Sequence, residues 1–490
     1  MEFERPDFSL AAAEIFVAVM TLVVMVAGTF LRRISRELGY ALAQLTVIGA
    51  AFITVFSVDD PTVRYTFGTM YVSDWLGQVL KLFIYLSVFA SLLYGRLYLI
   101  ERRLEKAEYY VLMLLSMLGA MILVSANNLL VLYLGLEMMT LALYALVAFD
   151  RDNGLRSEAA IKYFVLGAIS SGLLLYGMSM IYGATGSLDL GVVGQAVSLG
   201  AGDELVFKFG LAFLVAGIAF KFGVVPFHMW VADVYHGAPT PVTLLISSAP
   251  KLAAFALALR LLVGGFFGLA ETWQPMLMLL AVASIVLGNL AAIAQSNIKR
   301  MLAYSGISHM GFVLLGLLAG VTDGGHQQVF NAYSSALFYA VSYALMSLAS
   351  FGMVLLLART GFEAEHIDDF KGLNRRSPWF AAMMMLVMFS MAGIPFFLGF
   401  FAKFAVLEAV VSAGHTWLAV LAVIMSVIGA YYYLRVVKVM YFDEPTDRTA
   451  LIASSETRVL LSANALTLAV AGLMPQGLMA VCGYAILTSF

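Results

Sequence analysis

Long apolar runs separated by short polar clusters fill almost the whole chain. The runs are about 17 to 27 residues long, which is the length that crosses roughly 30 Å of hydrocarbon at about 1.5 Å per residue. Segments such as 120–124 are apolar on both faces, whereas the strands of a membrane β-barrel alternate apolar and polar positions. We therefore predict an all-α membrane protein with about fourteen transmembrane helices. The predicted spans are 9–31, 39–57, 75–97, 109–125, 128–149, 157–183, 204–235, 241–263, 273–294, 298–319, 331–357, 379–411, 417–442 and 459–482.

The seventh and twelfth spans are too long for one straight helix, and each contains glycine and proline near its middle. We predict that both are broken helices. Their interruptions resemble each other, 223–228 against 393–397, and segments 160–165 and 336–341 repeat at a similar offset. Five helices separate the copies, so the pattern predicts two five-helix repeats of opposite orientation in the membrane. The predicted division is an N-terminal three-helix segment 1–108, a first repeat 109–263, a second repeat 264–442 and a C-terminal helix in 443–490.

Basic residues gather in alternate loops, and this distribution predicts the orientation of the chain. By the positive-inside rule these loops are cytoplasmic, which with an even number of helices places both termini outside. The first residues are acidic and no small-residue cleavage site follows the first span, so we expect no removable signal peptide. Arg64 lies in one of the intervening loops and is the clear exception. The basic residues of the predicted cytoplasmic loops are Arg32, Arg33, Arg36, Arg102, Arg103, Lys106, Arg151, Arg156, Lys299, Arg300, Lys371, Arg375, Arg376, Arg435, Lys438, Arg448 and Arg458.

The composition excludes several classes of function. Hydrophobic residues make up 62% of the chain and charged residues 12%, and the net charge is −2, which gives no basic field for nucleic acid. Cys482 is the only cysteine, so the chain has neither an internal disulfide nor a cysteine-ligated iron–sulfur cluster. No histidines or carboxylates have metal-ligand spacing, and no glycine-rich phosphate loop follows a strand. We expect no cofactor, no metal and no catalytic redox residue in this chain.

Three ionisable residues lie near the middle of predicted spans: Glu137, Lys221 and Lys251. Such a group costs at least about 2.5 to 3.5 kcal/mol at the bilayer centre, so it needs a partner, water or a function. Lys221 and Lys251 are too deep for their side chains to reach either surface. A purely structural ion pair remains the alternative for each of them. Burial favours a neutral lysine and a nearby carboxylate favours a charged one, so such a group can be loaded with a proton and unloaded.

Other charged groups are less deeply placed. Lys162 is nearer the cytoplasmic side, where it could form a structural pair with Glu137, and Lys403 follows the second break towards the outer side. His228 and His309 are candidate proton relays, although a hydrogen-bonded core histidine is at least as good an interpretation for both. Lys81 is ambiguous. Four residues near span ends are expected to extend their charged groups to the interface: Arg96, Lys208, Arg260 and Lys438.

Five segments carry a resemblance to a known family. They are Leu-Gly-Leu-Glu at 134–137, the Lys-Tyr-Phe segment with its small residues at 162–172, and the runs 221–230, 233–241 and 305–311. With the helix count and the two interruptions, the sequence resembles the antiporter-like subunits of proton-pumping NADH:quinone oxidoreductase over nearly its whole length. Lys403 stands where the M-type paralogue has glutamate, and the L-type paralogue continues into a long lateral helix after the fourteenth span. The family has three such paralogues, and both features favour the one that is neither M-type nor L-type.

The resemblance implies a role for each buried charge. Glu137 would pair with Lys162 and control the charge on Lys221, the central proton carrier. Lys251 would relay protons along the midplane, and Lys403 would serve the outward half-channel. Phe338 stands where repeat symmetry would put a second copy of Lys162, which indicates that the two half-channels are not equivalent.

The resemblance further implies a place for the chain in a bacterial inner membrane, beside other membrane-arm subunits, namely M-type and K-type neighbours. NADH, FMN, iron–sulfur clusters and quinone would be held by partner subunits, while this chain moves protons outward. A subunit of a multi-subunit cation/proton antiporter is the main alternative, and a membrane subunit of an energy-converting hydrogenase is another. Lys403 and the short C-terminal end disfavour both.

Overall fold

The computed structural model describes residues 5–30, 35–57, 62–200, 203–322, 325–358, 362–445, 451 and 454–489. Within these ranges helices dominate, and a short antiparallel hairpin pairs β1 (Arg64–Thr66) with β2 (Tyr71–Ser73). The helices are α1 (Ala12–Phe30), α2 (Ser35–Phe56), α3 (Trp75–Glu101), α4 (Ala107–Val124), α5 (Leu129–Val147), α6 (Gly154–Thr185), α7 (Leu190–Ser198), α8 (Glu204–Phe222), α9 (Met229–Gly237), α10 (Thr240–Ile246), α11 (Ala249–Ala258), α12 (Ala270–Ile293), α13 (Ile298–Ala319), α14 (His326–Leu357), α15 (Leu373–Arg376), α16 (Pro378–Ala392), α17 (Leu398–Ser412), α18 (Thr416–Phe442), α19 (Ser455–Leu473) and α20 (Pro475–Ser489).

The all-α membrane fold predicted from the sequence is confirmed. Twelve helices of the described residues are long and apolar enough to cross a membrane, or thirteen if one bent pair counts as a single span. The twelfth predicted span accounts for the remaining difference from fourteen, because it consists of two helices of 15 residues each, α16 and α17. A helix of that length rises only about 22 Å and does not cross the hydrocarbon alone.

Both of the long spans are interrupted at glycine. Helix α8 ends at Phe222 and α9 begins at Met229, with Gly223 in the left-handed conformation at φ 68°. Helix α16 ends at Ala392, and Gly393 has φ 87° before α17 begins. Glycine adopts this conformation without the steric cost of a Cβ atom, and it is the usual residue just after a helix end. The last carbonyl groups of α8 and α16 are thereby left available to side chains.

The predicted span 459–482 is not a single continuous helix. Helices α19 and α20 meet at an angle of 85°. Met474 has φ −131° and ψ 61°, outside the helical region, because the following Pro475 disfavours that region for the residue before it. The eighth predicted span is also divided, since α10 ends at Ile246 and α11 begins at Ala249. A π-helical segment, Leu259–Gly265, follows α11.

The centre of the bundle is formed by α10 with α11, α13 and α14. The apolar 18-residue stretch of α14 and that of Thr240–Gly265 are entirely buried. Only 28% of the corresponding stretch of α1 and 33% of that of α18 are buried. Helices α1 and α18 therefore leave most of their surface on the outside of the bundle, while the central helices form an interior. Lys251 and His309 lie on these central helices.

Ion pairs connect the loops that carry the predicted cytoplasmic basic residues. Arg156 lies 2.6 Å from Asp150 and 3.2 Å from Glu363, and Glu365 contacts both His236 at 3.1 Å and Lys299 at 3.4 Å. Burial would raise the pKa of Glu365, but its contacts with His236 and Lys299 outweigh burial and lower that pKa to about 2. Among the basic residues used for the orientation, Arg32, Arg33 and Arg448 lie outside the described residues, as does the Arg36 side chain; residues 1–4 of the acidic N-terminus lie outside them too.

Candidate functional site

The expected pairing of Glu137 with Lys162 is not what the structure contains. The Glu137 carboxylate on α5 accepts a hydrogen bond from the Ser171 hydroxyl on α6. Lys162 lies nine residues before Ser171 on the same helix, which is about 13 Å along the axis and on the opposite face. The Lys162 amine instead lies 2.9 Å from each of Glu158 and Asp233, and its side chain is 44% exposed. The prediction of that ion pair is wrong, because Lys162 is too far along α6.

Lys221 occupies the last turn of α8 and is buried. Its amine has no hydrogen-bond partner among the described residues. Helix α6 packs against both α5, which carries Glu137, and α8, which carries Lys221. An amine in this position needs water or a mobile partner.

Lys251 on α11 uses the helix end that the first interruption exposes. Its amine donates hydrogen bonds to the carbonyl oxygens of Phe222, at 2.8 Å, and of Lys221, at 3.3 Å. It also lies 5.1 Å from the centre of the Trp230 ring, on α9. Lys251 is therefore in direct contact with the main chain of Lys221, across the space that the break of α8 opens.

Lys403 on α17 makes the corresponding contact at the second interruption. Its amine donates hydrogen bonds to the carbonyl oxygens of Ala392, at 2.9 Å, and of Met391, at 3.3 Å, the last two residues of α16. Lys403 and His309 line one cavity together with Asn289 and Tyr432.

His309 connects three helices. Its Nδ1 lies 2.7 Å from the hydroxyl oxygen of Tyr339 on α14, and its Nε2 lies 3.1 Å from that of Tyr433 on α18. The Tyr433 hydroxyl also bonds the Ser305 hydroxyl. His228, at the first break, is only partly buried, and no hydrogen bond joins it to the lysines among the described residues. His309 thus belongs to the group of buried polar residues, whereas His228 stands apart from it.

Two buried ion pairs were missed by the sequence reasoning. Arg260 was expected to reach the interface, but its guanidinium is buried and binds Asp74 through two hydrogen bonds of 2.7 and 2.8 Å. That expectation is wrong, because Asp74, distant in sequence, lies beside it. Lys81 lies 2.5 Å from Glu14 on α1. Both acidic partners are near span ends, where the sequence gives no sign of burial.

The other expected interfacial residues have more exposed charged groups. The side chains of Lys208 and Lys438 are 46% and 62% exposed, and that of Arg96 is 32% exposed over the Tyr40 ring. Among the described residues, no group of three His, Cys, Asp or Glu side chains could hold a metal ion. The groups at the two interruptions and beside them that can accept and donate protons are the amines of Lys221, Lys251 and Lys403, the Glu137 carboxylate and the His309 imidazole.

Residues 126–429 match the family described as NADH:quinone oxidoreductase/Mrp antiporter, transmembrane. The chain belongs to this family of antiporter-like membrane proteins. Within the family it is 65% identical over 489 residues to NADH-quinone oxidoreductase subunit N of Azoarcus sp. strain BH72, covering 100% of this chain and 99% of that relative. The resemblance proposed from the sequence motifs, including the choice of paralogue, is confirmed.

Solved structures share the fold. A chain of respiratory complex I from Thermus thermophilus with bound aureothin matches with a TM-score of 0.81 and 29% identity, covering 96% of this chain and 98% of that one. A chain of the Mrp complex from Dietzia sp. DQ12-45-1b matches with a TM-score of 0.82, 22% identity and 97% coverage of both chains, a likeness of fold alone. The fold by itself therefore does not separate an oxidoreductase subunit from an antiporter subunit.

Proposed function

We propose that this chain is a membrane-arm subunit of a proton-translocating NADH:quinone oxidoreductase and that it carries protons through its buried lysines. NADH oxidation and quinone reduction take place in other subunits, which hold the NADH, FMN, iron–sulfur clusters and quinone. The observation that carries the proposal is the placement of three lysines, Lys221, Lys251 and Lys403, at the two interruptions of broken helices. Irregular backbone at membrane depth is tolerated where it lines a hydrated cavity, and such a cavity supplies the water that proton transfer needs.

The first interruption supports a loading step. An ionised Glu137 favours a protonated Lys221, since an opposite charge nearby favours the charged form, and loss of that carboxylate charge favours release of the proton. A released proton is within reach of Lys251, whose amine already contacts the Lys221 carbonyl at 3.3 Å. Lys251 must be neutral to accept it. Burial without a carboxylate partner favours that neutral form.

The second interruption supports the outward step. Lys403 and His309 line one cavity, and the His309 ring is held by two tyrosine hydroxyls that fix its orientation. We propose that a proton reaches Lys403 through His309 and leaves towards the outer side. Lys162 is proposed to act at the cytoplasmic entrance, because it lines a pocket there with Asp233, His236 and Arg300. His228, at the rim of the first break, is proposed as an auxiliary relay.

The surroundings of the chain complete the proposal. Its neighbours are other membrane-arm subunits, of the M-type and K-type, and the membrane is a bacterial inner membrane with both termini on the periplasmic side. The cytoplasmic placement of Arg102 and Arg156 is supported by the positive-inside rule. The two five-helix repeats remain part of the proposal and are supported by the equivalent glycine positions, Gly223 and Gly393, that end α8 and α16.

The test uses the intact complex in membrane vesicles. Lys221→Met removes the amine at similar volume and should abolish NADH-driven proton uptake into inverted vesicles and strongly lower coupled quinone reduction. The matched control is Lys208→Met on the same helix, whose amine is exposed and pairs with Glu204 one turn away at 2.5 Å. NADH oxidation with an artificial electron acceptor, and the amount of assembled complex, should be unchanged in both. Normal proton uptake in Lys221→Met would remove this lysine from the path.

The antiporter alternative predicts a different set of partners. A multi-subunit cation/proton antiporter would co-purify without flavin and iron–sulfur subunits, and its activity would not respond to NADH. Purification of the complex through this chain, followed by a flavin spectrum, separates the two.

A further inference from the structure

The proposed path has a gap between its two halves. Lys251 lies on α11, and His309 lies on α13; α14 packs against both helices. One face of α14 carries Tyr339, Tyr343 and Ser347, each four residues from the next. Residues at this spacing share a face of a helix and are separated by about 6 Å along its axis. We refer to these three residues as the α14 hydroxyl row.

The two ends of the row meet the two halves of the path. At one end, the Tyr339 hydroxyl lies 2.7 Å from His309 Nδ1. At the other end, the Ser347 hydroxyl donates a hydrogen bond of 2.7 Å to the Ser247 hydroxyl. Ser247 lies at the junction of α10 and α11, four residues before Lys251. One end of the row therefore contacts His309, and the other contacts a serine four residues before Lys251.

Tyr343 occupies the middle of the row in a position that a glycine makes possible. A Cβ atom on residue 306 would lie only 2.5 Å from the Tyr343 hydroxyl oxygen, so Gly306 of α13 leaves the room that this hydroxyl uses. The Tyr343 ring lies 5.2 Å from the His309 ring, and Ser347 follows one helical turn further along α14. Tyr343 is thus directed into the contact between α13 and α14 rather than towards lipid.

A second buried tyrosine, with a hydroxyl unpaired among the described residues, lies close to α14. Tyr235 on α9 is buried, and its hydroxyl has no hydrogen-bond partner among the described residues. Its ring lies 5.9 Å from the ring of Phe351 on α14. Buried hydroxyl groups are rarely left unpaired, and a bound water is the usual partner where no side chain is available.

We propose that the α14 hydroxyl row conducts protons between Lys251 and His309, with Tyr343 and Ser347 as the bridging groups. Each hydroxyl accepts a proton on its oxygen and passes its own proton to the next oxygen or water, so one O–H bond forms as another breaks. No group is oxidised and no hydroxyl keeps a net charge after the transfer. Rotation of the hydroxyls restores the starting arrangement. The inference rests on the proposed function and identifies how its two halves are connected.

The test compares two tyrosines of α14 in the intact complex. Tyr343→Phe removes one oxygen from the row. Tyr333→Phe is the matched control, because Tyr333 is also buried on α14 with a hydroxyl lacking a partner among the described residues, but lies ten residues away. A positioned proton-transfer group contributes roughly 10²- to 10⁴-fold. Since water can enter the vacated space, we expect a smaller loss, about tenfold, in NADH-driven proton uptake for Tyr343→Phe. Tyr333→Phe should behave as the unsubstituted complex.

A second pair of variants covers the case in which Tyr343→Phe lowers assembly. Ser347→Thr keeps the hydroxyl and Ser347→Ala removes it, so proton uptake per assembled complex should be retained in the first and fall in the second. The loss should be accompanied by a larger solvent deuterium effect on proton uptake, which a purely structural role would not produce. Equal uptake in Ser347→Thr, Ser347→Ala and Tyr343→Phe would overturn the proposal. If Lys221→Met still abolishes uptake in that case, the proposed function stands and only the hydroxyl row falls.

Discussion

The substitution Asp74→Asn would show how much of the fold depends on one buried ion pair. The carboxylate of Asp74 is 1% exposed and holds both terminal nitrogens of Arg260, which also donates to the Val124 carbonyl at 3.1 Å. These contacts join the start of α3, the end of α4 and the segment that follows α11. Removing one charge leaves the other buried without compensation. This typically costs about 3 to 5 kcal/mol. The equilibrium constant for local unfolding of this region should then rise by roughly a hundredfold to a few thousandfold.

The choice of asparagine isolates the ion pair from the helix cap. Asp74 also accepts a hydrogen bond from the Gly77 N–H at the start of α3, and asparagine caps a helix about as well as aspartate. Asp203→Asn is the matched control, because Asp203 caps α8 through Leu205 and has an exposed side chain. The control retains the cap and loses only a small interaction with the helix dipole, worth about 0.3 to 1 kcal/mol.

The reactivity of the Cys482 thiol can report local unfolding of this chain within the complex. It is the only cysteine, it is fully buried, and it lies on α20, which packs against α3. Its rate of reaction with a thiol reagent in the purified complex, read as the labelled band of this chain on a denaturing gel, should rise strongly with Asp74→Asn and little with Asp203→Asn. The double variant Asp74→Asn with Arg260→Met should recover part of the loss. Equal labelling rates in Asp74→Asn and Asp203→Asn would refute the reasoning.

Three further predictions concern the Lys81–Glu14 ion pair, the charge of Glu137 and the absence of redox cofactors from this chain. Lys81→Met should lower the amount of assembled complex on native gels because it leaves the Glu14 carboxylate buried and uncompensated, and a Lys81→Met, Glu14→Gln double variant should restore part of it. Glu137→Gln should reduce proton uptake per assembled complex more than Ser171→Ala, because it removes the proposed counter-charge of Lys221, whereas Ser171→Ala removes only a hydrogen bond to that carboxylate; equal effects would show that the charge is not what matters. The isolated chain should show no flavin or iron–sulfur absorption, since its one cysteine cannot ligate a cluster, and such a spectrum would contradict the proposed division of labour.

The spans and their interruptions could be predicted from the sequence because both depend on local chemistry. A run of apolar residues long enough to cross the membrane has few other stable structures in lipid. Glycine followed by proline within three residues, as at 223–226 and at 393–395, ends a helix through effects within one turn. The bend at Pro475 had the same kind of signal, but Pro475 was treated as lying inside a continuous span. A proline in that position disfavours the helical conformation of the residue before it, so a bend at 474–475 is consistent with the sequence.

The partners of the buried charges could not be predicted in the same way. Sequence position gives the depth of a residue in the membrane, but it does not give the rotation of its helix or the helix that faces it. Lys162 has a suitable depth for more than one carboxylate, and only the packing of α6 against α9 selects Asp233. Arg260 finds Asp74 at a sequence separation of 186 residues. A single sequence contains no information on such a pairing.

The two interruptions show the same local chemistry reached from different residues. At an offset of 170 residues, Gly223 corresponds to Gly393, yet Lys403 corresponds to Asp233 and Lys251 to Leu421. At the first interruption the amine that caps the helix end comes from α11, so any shift of α11 against α8 changes its contact with the Phe222 carbonyl. At the second interruption, the amine belongs to α17 and the carbonyls to α16, on either side of the same interruption. The Lys403 contact therefore persists when α16 and α17 move together and changes only when the interruption itself opens or closes. The first contact therefore responds to sliding between α11 and α8, and the second to bending at the interruption between α16 and α17, which is a physical reason for the two proposed halves of the path to differ.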